Sequence, residues 1–142
     1  MPSDLTLKAM NATHRVLLKL TGGHLGWTAA RMPVLELTTT GRKSGRSHTV
    51  LLTSPVQEGR TWVVVASRGG DDNPPSWLLN LMADPDVEVG LQGKPPVSMR
   101  ARVATTEERA RLWPGIAADF QVYAGYQEKT YREISLVLLD PG

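Results

Sequence analysis

The chain has 142 residues, no cysteine and a formal net charge of +2. This length suits one domain with one core, and the absence of cysteine excludes disulfide bonds and thiolate metal sites. The charge excess is too small to indicate a nucleic-acid partner by itself, and the three histidines lack metal-ligand spacing, so no metal site is expected.

The first 32 residues predict a helix and a lead-in to the main fold. Residues 5–20 repeat apolar side chains at helical spacing, and Gly22 and Gly23 end the pattern. We favour packing of this helix on the domain over contact with a membrane surface, because most amphipathic helices simply pack. The chain shows no signal peptide and no apolar run of membrane-spanning length, so a cytoplasmic location is expected, with membrane association left open.

The remainder of the chain predicts short strands with few helices. Six β-rich segments are bounded by turn residues, at 33–40, 49–56, 61–67, 86–92, 97–104 and 134–139. A short helix is predicted at 76–84. Another begins at a Thr105–Glu108 capping box and is interrupted or ended by Pro114 and Gly115.

The order of these elements indicates the fold class. Most strands are joined by hairpin-length connections such as residues 57–60. We therefore expect a mainly β fold with flanking helices (α+β), in which an antiparallel sheet curls into a small barrel. The whole chain, 1–142, is expected to form one domain with residues 33–140 as its core.

The sequence TTTGRKSGR at residues 38–46 contains the residue types of an anion site. Arg42 and Arg46 offer forked donors, Lys43 offers a point charge and Ser44 offers a hydroxyl. The glycines allow backbone amides to approach an anion. Taken alone, a solvated basic hairpin turn is an equally good interpretation.

Spacing excludes two familiar nucleotide motifs at this position. Three residues separate Gly41 from Gly45 and no Lys-Ser/Thr pair follows, so the stretch is not a P-loop. A G-x-G-x-x-G fingerprint is also absent. No acidic residue lies between Glu36 and Glu58, which leaves the local charge positive.

Two further regions complete the candidate site. In residues 66–81, a strand ending at Ser67 is followed by glycines and by a helix that begins near Trp77. This resembles a pocket wall, although a core position is favoured for the tryptophan alone. Phe120, Tyr123 and Tyr126 are spaced three apart and predict either one helical face or an aromatic lid, and they belong to a set of four aromatic residues within twelve positions. These are Phe120, Tyr123, Tyr126 and Tyr131.

Four segments together resemble the deazaflavin-dependent nitroreductase family of actinobacterial proteins: LTTTGRKSGR, VVVASRGGDDNPPSWLLNLMADPDVEV, ATTEERARLWP and YAGYQEKTYREI. The resemblance extends in continuous order over about residues 33–140. It implies a split β-barrel related to flavin reductases that bind FMN. It also implies the cofactor coenzyme F420, used in its reduced form F420H2 to reduce quinones, nitroimidazoles and other electron-poor compounds.

The resemblance assigns roles to individual positions. It places the basic residues after Gly41 beside the anionic tail of the cofactor, and Ser67, Tyr123 and Tyr126 where an acceptor is oriented or a proton relayed. Phe120 joins the two tyrosines on the substrate side. The cofactor-binding residues that it implies are Arg42, Lys43, Ser44, Gly45, Arg46, His48, Thr49, Val50, Leu51, Leu52, Thr53, Val65, Ala66, Ser67, Arg68, Gly69, Gly70, Ser76, Trp77, Leu78, Leu79 and Asn80.

The expected activity is hydride transfer from reduced F420 to a quinone, nitro or other electron-poor acceptor. One alternative is an FMN-dependent reductase on the same barrel, which the basic loop disfavours because it suits a polyanionic tail. Another is a non-enzymatic protein that binds F420, haem or a lipophilic molecule. A nucleic-acid partner is disfavoured because no aromatic residues are interleaved with the basic loop. The chain is expected to be a monomer or a homodimer.

Overall fold

The computed structural model describes residues 28–29, 32–91 and 94–142. The helix predicted at residues 5–20, and any membrane contact through it, lie outside the described residues. Within the described ranges, every helix falls short of the length and apolar character that crossing a membrane requires.

Eight strands of the described ranges form one antiparallel sheet. They are β1 (Thr28–Ala29), β2 (Met32–Thr40), β3 (Ser47–Thr53), β4 (Val56–Glu58), β5 (Thr61–Val65), β6 (Asp86–Gly90), β7 (Val97–Val103) and β8 (Leu136–Pro141). Their order is β1-β2-β6-β7-β8-β5-β4, and β3 pairs with β2. The helices are α1 (Ser76–Ala83), α2 (Thr106–Asp119) and α3 (Gln121–Glu128), and a short 3-10 turn spans Arg68–Gly70. The curled antiparallel sheet with flanking helices confirms the predicted fold class.

The strand predictions are confirmed in position, with corrections at their ends. The strand predicted at 49–56 stops at Thr53, and β4 is a separate strand. Ser54 separates them, because its buried hydroxyl lies 2.6 Å from the Val63 carbonyl oxygen and 3.0 Å from that of Val56. The strand predicted at 61–67 ends at Val65.

Two apolar cores lie on opposite faces of the sheet. Successive residues of β5 and β8 alternate between them, so these central strands are buried on both sides. Trp77, Leu78 and Leu81 of α1 cover the first core. Residues of α2 and α3, including Ile116 and Tyr123, cover the second. The sheet thus separates α1 from α2 and α3.

Helix α2 begins as predicted but continues further. The Thr105 hydroxyl accepts a hydrogen bond from the Glu108 N–H, and the Glu108 carboxylate accepts one from the Thr105 N–H, which confirms the capping box. The prediction that Pro114 and Gly115 interrupt or end the helix was wrong. Proline removes one N–H donor, and the carbonyl left without it belongs to the exposed Ala110, where water can solvate it.

Candidate functional site

The sequence 41–46, here called the basic loop, connects the paired strands β2 and β3. The Gly41 N–H donates to the Arg46 carbonyl at 2.7 Å, and the Gly45 N–H donates to the Gly41 carbonyl at 2.8 Å. Gly45 has a φ of +72°, a conformation that favours glycine. The loop is therefore a closed turn with a defined backbone.

Ser44 and His48 pack closely over the start of this loop. A Cβ atom at Gly41 would lie 2.7 Å from both the Ser44 Oγ and the His48 Nε2, so a larger residue there would displace these two side chains. The Ser44 hydroxyl accepts a hydrogen bond from the Arg46 N–H at 3.2 Å and lies 3.4 Å from His48 Nε2. His48 is therefore part of the packing of the loop.

Arg42 anchors the basic loop to α1. Its backbone N–H donates to Asn80 Oδ1 at 3.2 Å, and its Nη1 donates to the same oxygen at 2.8 Å and to the Ser76 carbonyl at 3.4 Å. Asn80 is only 4% exposed, and its Nδ2 donates to the buried Thr39 hydroxyl at 3.3 Å. The structure thus joins two regions that the sequence predicted separately.

Lys43 and Arg46 form the outer part of the basic loop. Both side chains are exposed. Neither has an ion pair with any residue of the described ranges. Two cations therefore remain available at this end of β3 for an anionic ligand.

The second candidate region forms a turn after β5, here called the glycine turn, at residues 66–71. Arg68, Gly69 and Gly70 follow one another with φ values of +45°, +65° and +84°. A Cβ atom at Gly70 would lie 2.7 Å from the Tyr126 carbonyl oxygen, so glycine is required for contact with α3. The turn is consequently fixed against the helix that carries the tyrosines.

Arg132 holds the same turn, and the sequence reasoning missed it. Its Nε donates to the Asp71 carbonyl at 2.9 Å, its Nη2 to the Ser67 carbonyl at 2.8 Å and its Nη1 to the Ala66 carbonyl at 3.3 Å. Burial lowers the pKa of Arg132 from its ordinary value. The only sequence signal was the position of this arginine within the segment YAGYQEKTYREI, where no role was predicted for it.

The two tyrosines of α3 have different surroundings. The buried Tyr123 has its hydroxyl 2.7 Å from the Thr53 hydroxyl and 3.5 Å from Met32 Sδ. Burial raises the pKa of Tyr123. Tyr126 is half-buried, its ring meets that of Tyr123 edge-on at 6.3 Å, and Lys129 Nζ lies 5.6 Å from its centre. No described residue bonds to the Tyr126 hydroxyl, which leaves it the better placed of the two for a ligand.

The other two aromatic residues lie apart from this pair. Phe120 is half-buried between α2 and α3 and packs against the second core. Tyr131 is fully exposed. The predicted single helical face is therefore limited to Tyr123 and Tyr126.

Several predicted cofactor residues lie in the sheet and in α1. The buried ones are Leu51, Val65, Ala66, Trp77 and Leu78. Trp77 belongs to the first core, which confirms the core position favoured for this tryptophan. The half-buried ones are Thr49, Val50, Leu52, Thr53 and Leu79. Their contact with a cofactor stays a prediction.

Strand β3 connects the two ends of the candidate site. His48, at its start, contacts the basic loop, and Thr53, at its end, contacts Tyr123. At about 3.3 Å per residue, these positions are roughly 17 Å apart. The arrangement suits a long ligand that has an anionic group at one end and a flat or hydrogen-bonding group at the other.

Comparisons with known proteins show which family the chain resembles. The family model of F420H(2)-dependent quinone reductase matches residues 10–141. An F420H(2)-dependent quinone reductase of Mycobacterium tuberculosis is 34% identical over 129 residues, which are 89% of this chain and 86% of that protein.

Two solved structures are also similar. The F420-H2 dependent reductase FDR-A is 37% identical, has a TM-score of 0.66 and matches over 76% of this chain and 94% of its own. A domain-swapped dimer is 34% identical, with a TM-score of 0.68, over 96% of this chain and 100% of its own. The chain belongs to the F420H2-dependent quinone reductase family.

Proposed function

We propose that this protein oxidises reduced F420 and reduces a quinone-like acceptor. Family membership supports the reaction class. The observation that carries the proposal is the arrangement along β3, where two exposed cations lie at one end and the tyrosines of α3 at the other.

The basic loop fits the tail of the cofactor, which is a phosphodiester carrying glutamates. Lys43 and Arg46 are exposed and supply two positive charges. Arg42 gives the loop its position, because its Nη1 is bonded to Asn80, and the residue is still exposed. Charge-assisted hydrogen bonds to phosphate and carboxylate oxygens are among the stronger contacts that a protein can make.

The glycine turn is the proposed position for the ring of the cofactor. Val65 and Ala66 are buried directly before it, and Ser67 is 9% exposed. Gly70 fixes the turn against α3, so the ring and the acceptor would meet between rigid backbone and the tyrosines. Such rigidity favours a transfer reaction, because reacting atoms must be held close and aligned.

When bound, reduced F420 supplies a hydride from its C5, which a quinone takes up together with one proton to give the hydroquinone. The chain binds and orients both molecules. We assign Tyr126 to the acceptor, since its hydroxyl has no bond to the described residues and can donate to an acceptor oxygen. Tyr123 stays neutral at physiological pH because burial raises its pKa, and through Thr53 it fixes α3 to β3.

The direct test is an assay of F420H2 oxidation with menaquinone-like and nitro acceptors. We expect turnover with the quinone, and a parallel titration should show tight binding of F420 and weak binding of FMN. Binding of F420 without turnover of any acceptor would instead favour a binding protein. Failure to bind F420 would exclude the proposal.

We also propose an assembly and a location for the protein. A relative with 34% identity forms a domain-swapped dimer, and this favours a homodimer here as well. Light scattering of the purified protein should give about twice the chain mass. A cytoplasmic location with reversible membrane contact suits a lipid-soluble quinone, and co-sedimentation with lipid vesicles would test that contact.

A further inference from the structure

We propose that Arg132 is a positioning residue, which sets the geometry of hydride transfer by holding the glycine turn from behind. The inference rests on the proposed function, which places the ring of the cofactor at this turn. It adds to that function a residue outside the basic loop, the turn and the aromatic pair.

One side chain holds both ends of the turn. The guanidinium of Arg132 donates to the carbonyl groups of Ala66, Ser67 and Asp71, at 3.3, 2.8 and 2.9 Å. A guanidinium is planar and rigid, so three donors in one plane fix three peptide groups relative to each other. Lysine has a single point of charge and cannot reproduce this arrangement.

The backbone of Arg132 is fixed too. Its N–H donates to the Thr130 hydroxyl at 3.3 Å, and its carbonyl accepts from Gln127 Nε2 at 2.7 Å. Gln127 lies on α3 and also accepts the Ile134 N–H at 2.9 Å. The helix with the tyrosines and the glycine turn are therefore held by the same short segment.

The hydrogen bonds from Arg132 also determine the direction in which backbone N–H groups of the glycine turn point. The peptide bonds are trans, so each N–H points opposite to the carbonyl of the preceding residue. With the carbonyls of Ala66 and Ser67 directed at Arg132, the N–H groups of Ser67 and Arg68 point away from it. We infer that the ring of the cofactor is received on that opposite side.

The test compares Arg132→Lys with Arg109→Lys. Arg109 is a matched control, because its Nε donates to the Ile134 carbonyl at 3.0 Å and its Nη2 to Gln127 at 3.2 Å. It thus supports the same segment, but it makes no contact with the glycine turn in the described structure. Both variants keep the positive charge and lose the planar set of N–H donors of the guanidinium group.

We expect Arg132→Lys to lower kcat about tenfold to hundredfold, because misplacement of reacting groups has effects of that size. The KM for F420H2 should stay near the wild-type value, since the tail contacts are untouched. Arg109→Lys should keep the wild-type kcat. Added guanidinium, but not ammonium, should partly restore the activity of Arg132→Ala.

The outcomes separate the two proposals. If wild-type protein does not oxidise F420H2, the proposed function fails and this inference fails with it. If wild type is active and Arg132→Lys matches it, or if both lysine variants lose kcat equally, only the inference is overturned. Should Arg132→Lys not fold, Thr130→Val removes only the acceptor of the Arg132 N–H. It should then give a smaller loss of kcat at constant KM, and an unchanged kcat would overturn the inference.

Discussion

The hydroxyl oxygens of Thr53 and Tyr123 lie 2.7 Å apart, although 70 residues separate them in the sequence. This contact occupies one tyrosine of α3 and leaves Tyr126 for a ligand. Tyr126→Phe should therefore lower kcat/KM for the acceptor about 10- to 100-fold, the size expected when a hydrogen bond to a developing anion is lost. The measurement is steady-state oxidation of F420H2 with a soluble quinone.

Tyr123→Phe provides the comparison for that experiment. It should cost about 1 kcal/mol of folding free energy through loss of the Thr53 contact, while kcat/KM stays within a few-fold of wild type. Urea denaturation gives the free energy of unfolding. A larger catalytic loss in Tyr123→Phe than in Tyr126→Phe would contradict our assignment of the acceptor.

The two cations of the basic loop should determine affinity for the cofactor. Removing both, in Lys43→Ala/Arg46→Ala, should raise the Kd for F420 at least about tenfold, because charge-assisted bonds are lost. The dependence of Kd on salt should also weaken, since fewer charges are left to screen. Arg60→Ala is the matched control: it removes one exposed cation from the β4–β5 hairpin and should leave Kd unchanged.

Asn80 should support the basic loop from inside the protein. Asn80→Ala removes the oxygen that accepts from the Arg42 N–H and from Arg42 Nη1. It also removes the N–H group that donates to the buried Thr39 hydroxyl. We expect a loss of about 1–3 kcal/mol in the free energy of unfolding, together with weaker binding of F420. Ser76→Ala should leave the free energy of unfolding unchanged, because Arg42 contacts only the backbone carbonyl of that residue. Equal losses in the two variants would contradict this role.

Gly70 should tolerate no side chain. Gly70→Ala adds a Cβ at positive φ and only 2.7 Å from the Tyr126 carbonyl oxygen. Gly59→Ala has a similar φ of +61° but meets no atom within 4 Å, so it isolates the cost of the backbone conformation, about 1 kcal/mol. Gly70→Ala should lower Tm clearly more than Gly59→Ala, and it should lower activity as well. Equal Tm values for the two variants would contradict this prediction, because they would show that α3 moves aside for the added Cβ at little cost.

The Glu108 carboxylate should make stability depend on acid pH. Hydrogen bonds from Arg102 lower its pKa to about 2, from an ordinary 4.5. Because the folded pKa is the lower one, the contribution is complete above about pH 4.5 and disappears as the pH falls towards about 2. Glu108→Gln should therefore reduce Tm at pH 7, and the difference from wild type should shrink under acid conditions. Glu107→Gln, in the same helical turn, is the matched control, because Glu107 makes no ion pair in the described structure, and it should leave Tm at pH 7 close to the wild-type value.

The fold could be predicted largely because strand residues are β-branched and flanked by turn residues. β1 was missed because two residues form no pattern, and β4 was merged with β3 because Ser54 and Pro55 interrupt an apolar run without a glycine. Pro114 predicted the end of a helix, yet exposure of Ala110 allowed the helix to continue. These errors arise where tertiary surroundings override local preference.

The site was predictable in its parts and less so in its connections. Charged and glycine-rich stretches indicated the basic loop and the glycine turn as candidate regions, and the family resemblance supplied their proposed roles. The bond from Arg42 to Asn80 joins residues 38 apart, and that from Arg132 to Ala66 joins residues 66 apart. No spacing rule encodes such pairs, because they depend on how the sheet brings distant segments together.

The bonds of Arg132 also bear on how the last strand pairs. Val65 ends β5 just before the glycine turn, and it pairs with Leu136, which begins β8 four residues after Arg132. The glycine turn and the segment that carries Arg132 therefore leave the sheet at the same residue pair. A slip of one residue in β8 would exchange its two buried faces and shift Arg132 by about 3.3 Å, too far for its hydrogen bonds. A molecule with misaligned β8 could then not form the turn. Any ligand that binds this turn would therefore favour the native register by mass action during folding.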